Sequence, residues 1–174
     1  MNWVIGWLVW LLTFPGRIIR VVSYRMLCDI NKVEVFEVDY LRGTIALGEI
    51  PSLGTALFIA TAPLCVNTLL CAVLTFPAAL PMAIGAENMP PSLLFLFWLG
   101  ISIGMNAFPD RKYSLYLIER GSISEKRKVL NRFARGLCLL FGLANFLKRF
   151  WFDFIYALLV SISSSSLIVS LNTR

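Results

Sequence analysis

The chain has 174 residues and a net charge of +6, with 58% hydrophobic residues, 15% charged residues and a mean hydropathy of +0.76. That is enough for one domain, but too little charge to cover a water-soluble surface of that size. The basic balance does not point to nucleic acid: no module interleaving aromatic and basic residues is visible, and the charges gather beside apolar runs, as they do where a chain flanks a membrane.

Trp3 to Phe14 is a short apolar run that stops at Pro15-Gly16. It lacks the basic lead and small-residue cleavage site of a signal peptide, so it is expected to be retained as a first crossing. Arg17 to Cys28 reads as further helix, with Arg17, Arg20 and Tyr24 spaced to share one face. Arginines are costly at a bilayer centre, so these are expected to snorkel to an interface or pair inside a bundle. Residues 33–41 are rich in β-branched and aromatic types, and Arg42-Gly43 can turn the chain into a second strand, Thr44 to Glu49. Pro51-Ser52 ends this hairpin.

The longest apolar run extends from Leu53 to about Gly85 and contains Pro63, Pro77 and Pro81. It is expected to form a helix to about Phe76, kinked at Pro63, followed by an extended or re-entrant proline segment. A third crossing runs from Leu93 to Phe108 and stops at Pro109. Residues 110–135 are polar and basic, with a helical second half; 136–147 are apolar but too short to cross; Trp151 to Leu171 is the fourth crossing. The fold class expected is therefore an all-α membrane protein, a single integral domain of four transmembrane helices with a small cytoplasmic-side β-hairpin and an inner-surface amphipathic helix. If both termini face out, the inner segments 15–52, 109–135 and 136–149 hold 15 of the 16 basic residues, and only Arg174 is left outside. The positive-inside tendency selects that orientation, with the plasma (inner) membrane as the location if the source is a prokaryote.

Histidine is absent, and the four cysteines at 28, 65, 71 and 138 include no C-x-x-C pair. They read as small buried hydrophobes, although Arg25 and Lys32 near Cys28 would lower its thiol pKa if they reached it.

Four stretches, taken in order, resemble a family of small integral-membrane zinc metalloproteases of the site-2-protease type: FPGRIIRVVSYRMLCD (14–29), VFEVDYLRGTIALGEIPS (35–52), ATAPLCVNTLLCAVLTFPAALP (60–81) and WLGISIGMNAFPD (98–110). The likeness covers about residues 10–115, and the basic segment 110–149 and last crossing lie largely or wholly beyond it. In that family the helix after Pro-Gly carries H-E-x-x-H, two histidines that bind zinc from one helix face and a glutamate that acts as general base. The resemblance puts the first histidine at Arg20, the glutamate at Val21 and the second histidine at Tyr24. A further family histidine falls on Asn106 and the downstream acidic ligand on Tyr113, with Asp110 the nearest acid. Arginine repels a dication, and valine neither takes nor gives a proton. The resemblance thus implies a pseudoprotease, without catalytic residues, metal or cofactor.

Other chemistry finds little support. A serine nucleophile needs a histidine or lysine base, and Asp153 has no intramembrane acidic partner to make a dyad. Features suited to partnership are easier to find. Gly100 and Gly104 form G-x-x-x-G, which lets helix backbones approach closely, either within this bundle or with another chain. The last crossing holds six serines, with Ser161/Ser165 and Ser166/Ser170 at i,i+4 spacing, which either bond to carbonyls of their own helix or form a small-residue surface for docking another membrane protein. The hairpin edge could take up a client strand by pairing. Lys126, Arg127, Lys128, Arg132 and Arg135 lie among Val129, Leu130 and Phe133, a pattern that fits ordinary positive-inside anchoring first and an inner-leaflet segment attracted to anionic lipid second. The leading function is a catalytically inactive scaffold or partner-binding subunit of a membrane-protein complex. The rivals are a membrane hydrolase with an unrecognised site and a channel or transporter subunit whose polar path is lined by Asn67, Asn106, Asn145 and the arginines.

Overall fold

The computed structural model describes residues 7, 10–41, 43–83, 89–109, 115–116, 119, 128–147 and 151–172. Among these residues, five helices and one hairpin follow in order: α1 (Phe14–Ile30), β1 (Val35–Asp39), β2 (Thr44–Leu47), α2 (Leu53–Ala83), α3 (Pro91–Gly104), α4 (Lys128–Leu147) and α5 (Phe152–Asn172). Half of the first crossing expected from sequence falls outside the described residues; residues 10–12 are helical and Thr13 interrupts them before α1.

Pro15 does not break the chain; it lies in the first turn of α1, where its fixed φ suits a helix and its missing N–H costs nothing. Asn31 closes the other end, its N–H (3.1 Å) and its Nδ2 (2.7 Å) both donating to the Leu27 carbonyl. Lys32 then takes a left-handed φ of 56°, and Val33 N–H reaches back to the Cys28 carbonyl at 2.9 Å.

The hairpin is antiparallel, pairing Asp39 with Thr44, Val38 with Ile45, Glu37 with Ala46 and Val35 with Leu47, with a bulge at Phe36. Its strands are shorter than the sequence suggested. The turn is built by the Asp39 carboxylate, which accepts from Leu41 N–H at 3.0 Å, and by Gly43 at φ +74°. β2 alternates as a half-buried strand should, with Ile45 and Leu47 inward and Thr44 and Ala46 outward.

α2 is the axis of the molecule. Ser52 caps it by accepting from Thr55 N–H at 3.1 Å, and the helix continues for 31 residues through Pro63, Pro77 and Pro81. This corrects the expectation that it would end near Phe76. Each proline removes one i→i−4 bond, whereas an extended apolar segment would leave many backbone groups without partners. Its stretch Leu53–Ala79 is, among the described residues, the one helix long and apolar enough to cross a membrane; α3 (14 residues) and the apolar part of α5, Phe152–Ser164, are shorter.

The elements divide at the middle of α2. Against its first half pack α1 and the hairpin, in a core of Tyr24, Leu27, Cys28, Val33, Ile45, Leu47, Ile50, Ala56, Ile59, Ala60 and Ala62. α4 joins the same half, with Ala134 and Leu137 on Leu53 and Leu57. Against the second half pack α3 and α5, through Cys71, Ile101 and Ala157. α3 lies very close to α2: a Cβ at Gly100 would sit 2.6 Å from Thr75 Cγ2, and one at Gly104 would sit 2.7 Å from Cys71 Sγ and 2.9 Å from Ala157 Cβ. The G-x-x-x-G pair is therefore taken up inside the bundle, and neither glycine is left to a partner chain.

Candidate functional site

Half-way along α2, the C-terminal end of α3 meets the first turn of α1. In an apolar interior both helix ends carry backbone groups that need partners, and a buried polar network supplies them. Asn106 Nδ2 donates to the Thr13 carbonyl (3.2 Å) and to the Ser102 carbonyl (3.0 Å). Ser102 Oγ in turn accepts from Gly16 N–H at 3.3 Å. From α2, Asn67 Nδ2 donates to the Asn106 carbonyl at 3.0 Å, while its Oδ1 accepts from Ser23 Oγ at 3.2 Å. Thr13, Ser23, Asn67, Ser102 and Asn106 are all buried.

The close approach depends on Gly16. A Cβ there would overlap the Ser102 carbonyl oxygen and sit 2.6 Å from Asn106 Nδ2. Glycine after Pro15 is thus a packing requirement in this chain, not a helix stop.

The positions that the family resemblance marks do not converge. Val21 is fully buried and Tyr24 lies in the core with the hairpin. Arg20 reaches the hairpin turn, with one guanidinium nitrogen donating to the Gly43 carbonyl at 3.4 Å. Tyr113 and Asp110 lie outside the described residues. Among the described residues no three acid, cysteine or histidine side chains form a metal-holding group. Arg17 bonds back to the Trp10 carbonyl at 3.3 Å and stacks on its ring at 4.8 Å, so one arginine pairs with an aromatic and another ties the hairpin. Cys28 is buried, and burial with Asp29 beside it pushes its thiol up to about 11, the opposite of the lowering expected from Arg25 and Lys32.

The remaining marked residues separate. In α5, Ser161 is buried and Ser166 exposed, while the side chains of Ser165 and Ser170 fall outside the described residues. Ser164 and Ser166 spend their hydroxyls on carbonyls of their own helix, Ser161 (2.8 Å) and Ser163 (3.1 Å). Asp153 sits in the first turn of α5, where a carboxylate complements the helix dipole. Asn145 leaves the polar centre and donates to the Pro109 carbonyl at 3.0 Å. Lys126, Arg127 and the Lys128 side chain are outside the described residues; Arg132 and Arg135 are exposed on α4.

A small apolar cavity of about 200 Å³ lies beside the network, lined mainly by Leu12, Trp98, Ile101, Met105, Trp151 and Phe154. Thr13 and Ser102 also border it, and none of its lining residues is an acid, lysine or histidine that could act as a base for their hydroxyls. Sequence reasoning missed Thr13, Gly16, Ser23 and Ser102 as parts of one network. The available signal was Asn67 and Asn106, two amides inside long apolar runs, which had to find partners somewhere. No family model, curated protein or solved structure matches the chain.

Proposed function

We propose that this chain is a catalytically inactive, metalloprotease-like membrane protein that holds other integral membrane proteins in a complex. It crosses the bilayer four times, with both termini outside and its basic segments on the cytoplasmic side. The observation that carries the reading is how the resembled site positions are employed. Asn106 commits its amide hydrogens to the Thr13 and Ser102 carbonyls, Arg20 is drawn to Gly43, and Val21 is buried in packing. Residues that would handle metal and water in the resembled family serve here as structural ties. The whole chain contains no histidine to replace them, and a catalytic zinc site needs three protein ligands. A fold kept without its chemistry retains surfaces, and binding is what surfaces offer. The hairpin edge and the outer face of α5 are the surfaces for clients.

The test is metal content together with company. Protein made without a histidine tag and dialysed should hold zinc well below one equivalent per chain, and mild-detergent extracts of native membrane should bring down distinct membrane proteins at constant ratio. Stoichiometric zinc removable by chelators would overturn the reading, as would a chain that purifies alone or only with copies of itself.

A further inference from the structure

The ends of three crossings surround the apolar cavity beside the buried network. Leu12 and Thr13 lie at the end of the first, Met105 lies near the end of the third, and Trp151 opens the fourth. On the four-crossing topology proposed above, all three ends are at the cytoplasmic boundary of the bilayer, which sets the depth of the cavity. α3 runs from outside to inside, so Trp98, seven residues before Met105, is about 10 Å deeper. α5 runs the other way, and Phe154 lies about one turn deeper than Trp151. The lining is thus a slot that starts at the interface and extends into the hydrocarbon of the inner leaflet.

Its walls select what it takes. The volume is about 200 Å³, and apolar cavities of roughly 150 Å³ stay dry and bind small hydrocarbons. A buried water needs several polar partners. The surface of the slot is almost wholly apolar, and the Ser102 hydroxyl is engaged by Gly16 N–H. Ile101 is only 7% exposed, whereas Leu12 and Trp151 are 53% and 56% exposed. Leu12 and Trp151 therefore form an open rim at the depth of the headgroups, where tryptophan is favoured. Cations flank that rim in sequence: Arg17 one turn beyond Thr13, and Lys148 and Arg149 just ahead of Trp151. The one acid after Lys126, Asp153, complements the positive end of α5. An apolar slot below a basic rim matches a phospholipid, with its phosphate above and an acyl chain below.

We propose that this slot is a lipid site, taking one acyl chain of an inner-leaflet phospholipid that enters between Leu12 and Trp151 and reaches Ile101 and Trp98. The site rests on the membrane reading above and adds a bound lipid to it. A chain seated there packs against three crossings at once, so it contributes to holding their ends together.

The experiment is photolabelling of the whole chain in phosphatidylcholine vesicles containing a phosphatidylcholine with a diazirine on one acyl chain, followed by mapping of the modified residues. Ile101 is the reporter of the slot, because lipid that merely surrounds the protein does not reach a residue 7% exposed. Leu69 on α2, 66% exposed, reports surrounding lipid. Both should be labelled. Leu12→Trp and Met105→Trp fill the slot from different segments. Each should lower labelling at Ile101 by about tenfold, the affinity carried by roughly two buried methylene groups, with Leu69 unchanged. Thermal unfolding identifies a variant that has lost its fold, and the other then carries the comparison. Label at Leu69 without label at Ile101 overturns the proposal and leaves the membrane reading standing, whereas label at neither removes both. Undiminished label at Ile101 in a folded variant also overturns it, because the probe then arrives by another route. Label at Ile101 that appears only on dilution to one chain per vesicle means that a second copy fills the slot, and overturns it as well.

Discussion

Asn67 Nδ2 donates to the backbone carbonyl of Asn106 at 3.0 Å, joining the middle of α2 to the turn that follows α3. Both residues are buried, Asn67 completely. The bond matters because Asn106 is itself holding two helix ends together, through Thr13 and Ser102. Asn67→Leu should therefore cost about 1–3 kcal/mol, the penalty for stranding a buried acceptor, and Asn106→Leu should cost more because two carbonyls lose their donor. Unfolding in mixed micelles by added dodecyl sulfate reads both.

Asn106→His is the more informative change. A neutral imidazole has one N–H donor where the amide has two, so it cannot satisfy Thr13 and Ser102 together. Installing the residue of the resembled family should lower stability by about 1 kcal/mol or more without adding zinc. Stoichiometric zinc in a stable N106H chain would show that the site is only one residue from a metal centre.

The glycines give a graded comparison. Gly104→Leu must displace Cys71 and Ala157, and Gly100→Leu must displace Thr75, whereas a Cβ at Gly136 meets nothing within 4 Å. The first two substitutions should be severe, since overpacking a close helix contact costs about 1–3 kcal/mol or more. Gly136→Ala should instead stabilise α4 by roughly 0.5–1 kcal/mol through helix propensity. Thermal unfolding of the three variants in one detergent checks the order.

Much of this architecture can be read in the residues, and the limits have physical causes. The hairpin is marked by β-branched residues around Gly43, α1 by its helical spacing beyond Pro15-Gly16, and α3 by an apolar run that stops at Pro109. The length of α2 was not legible, because Pro77 and Pro81 look like breaks until the surrounding bundle makes an unpaired backbone costlier than a proline in a helix. The orientation of α4 was hidden for another reason: its apolar stretch is too short to cross by itself, so only its contacts with Leu53, Leu57 and Pro109 give its direction. At the candidate site, the departures at Arg20, Val21 and Tyr24 were plain in sequence. That Arg20 would hold Gly43 was not, since the pair are 23 residues apart.

That pair gives its own prediction. Gly43 has a φ of +74°, and a Cβ there would overlap the guanidinium of Arg20. Gly43→Val should lose on both counts, by backbone strain of about 1–3 kcal/mol and by expelling the arginine. Arg20→Met keeps the stem and loses only the bond at 3.4 Å, so its cost should be the smaller. Protease cleavage within 33–49 measures whether the hairpin has come loose.

Cys28 offers a pH dependence. Its thiol is pushed up to about 11 by burial and by Asp29, whereas an unfolded cysteine ionises near pH 8.5. The folded chain thus holds its proton longer than the unfolded one. The stabilisation is fully present below about pH 8.5 and is lost as the pH rises towards 11. Cys28→Ala should flatten this part of the stability curve, and maleimide should modify exposed Cys65 at neutral pH while leaving Cys28 untouched.

The serine-rich helix separates packing from docking. Lipid tails are as apolar as leucine, so small residues on a helix surface favour association by letting backbones come close. Ser161 is 1% exposed and already sits within the bundle, whereas Ser166 faces outward and its hydroxyl is spent on the Ser163 carbonyl. Ser161→Leu should consequently destabilise the chain itself by about 1–3 kcal/mol, and any loss of partners there reports only misfolding. Ser166→Leu should leave the fold intact and block close approach of another helix. Because the hydroxyl is already engaged at home, Ser166→Ala should have little effect on partners. The check is co-isolation from native membrane, with unfolding measured on the same preparations. Full partner retention by a folded S166L chain would remove the α5 face as the docking surface. Gly100 and Gly104 could not take its place, since Thr75, Cys71 and Ala157 already fill that approach, and the hairpin edge would be the surface left to test.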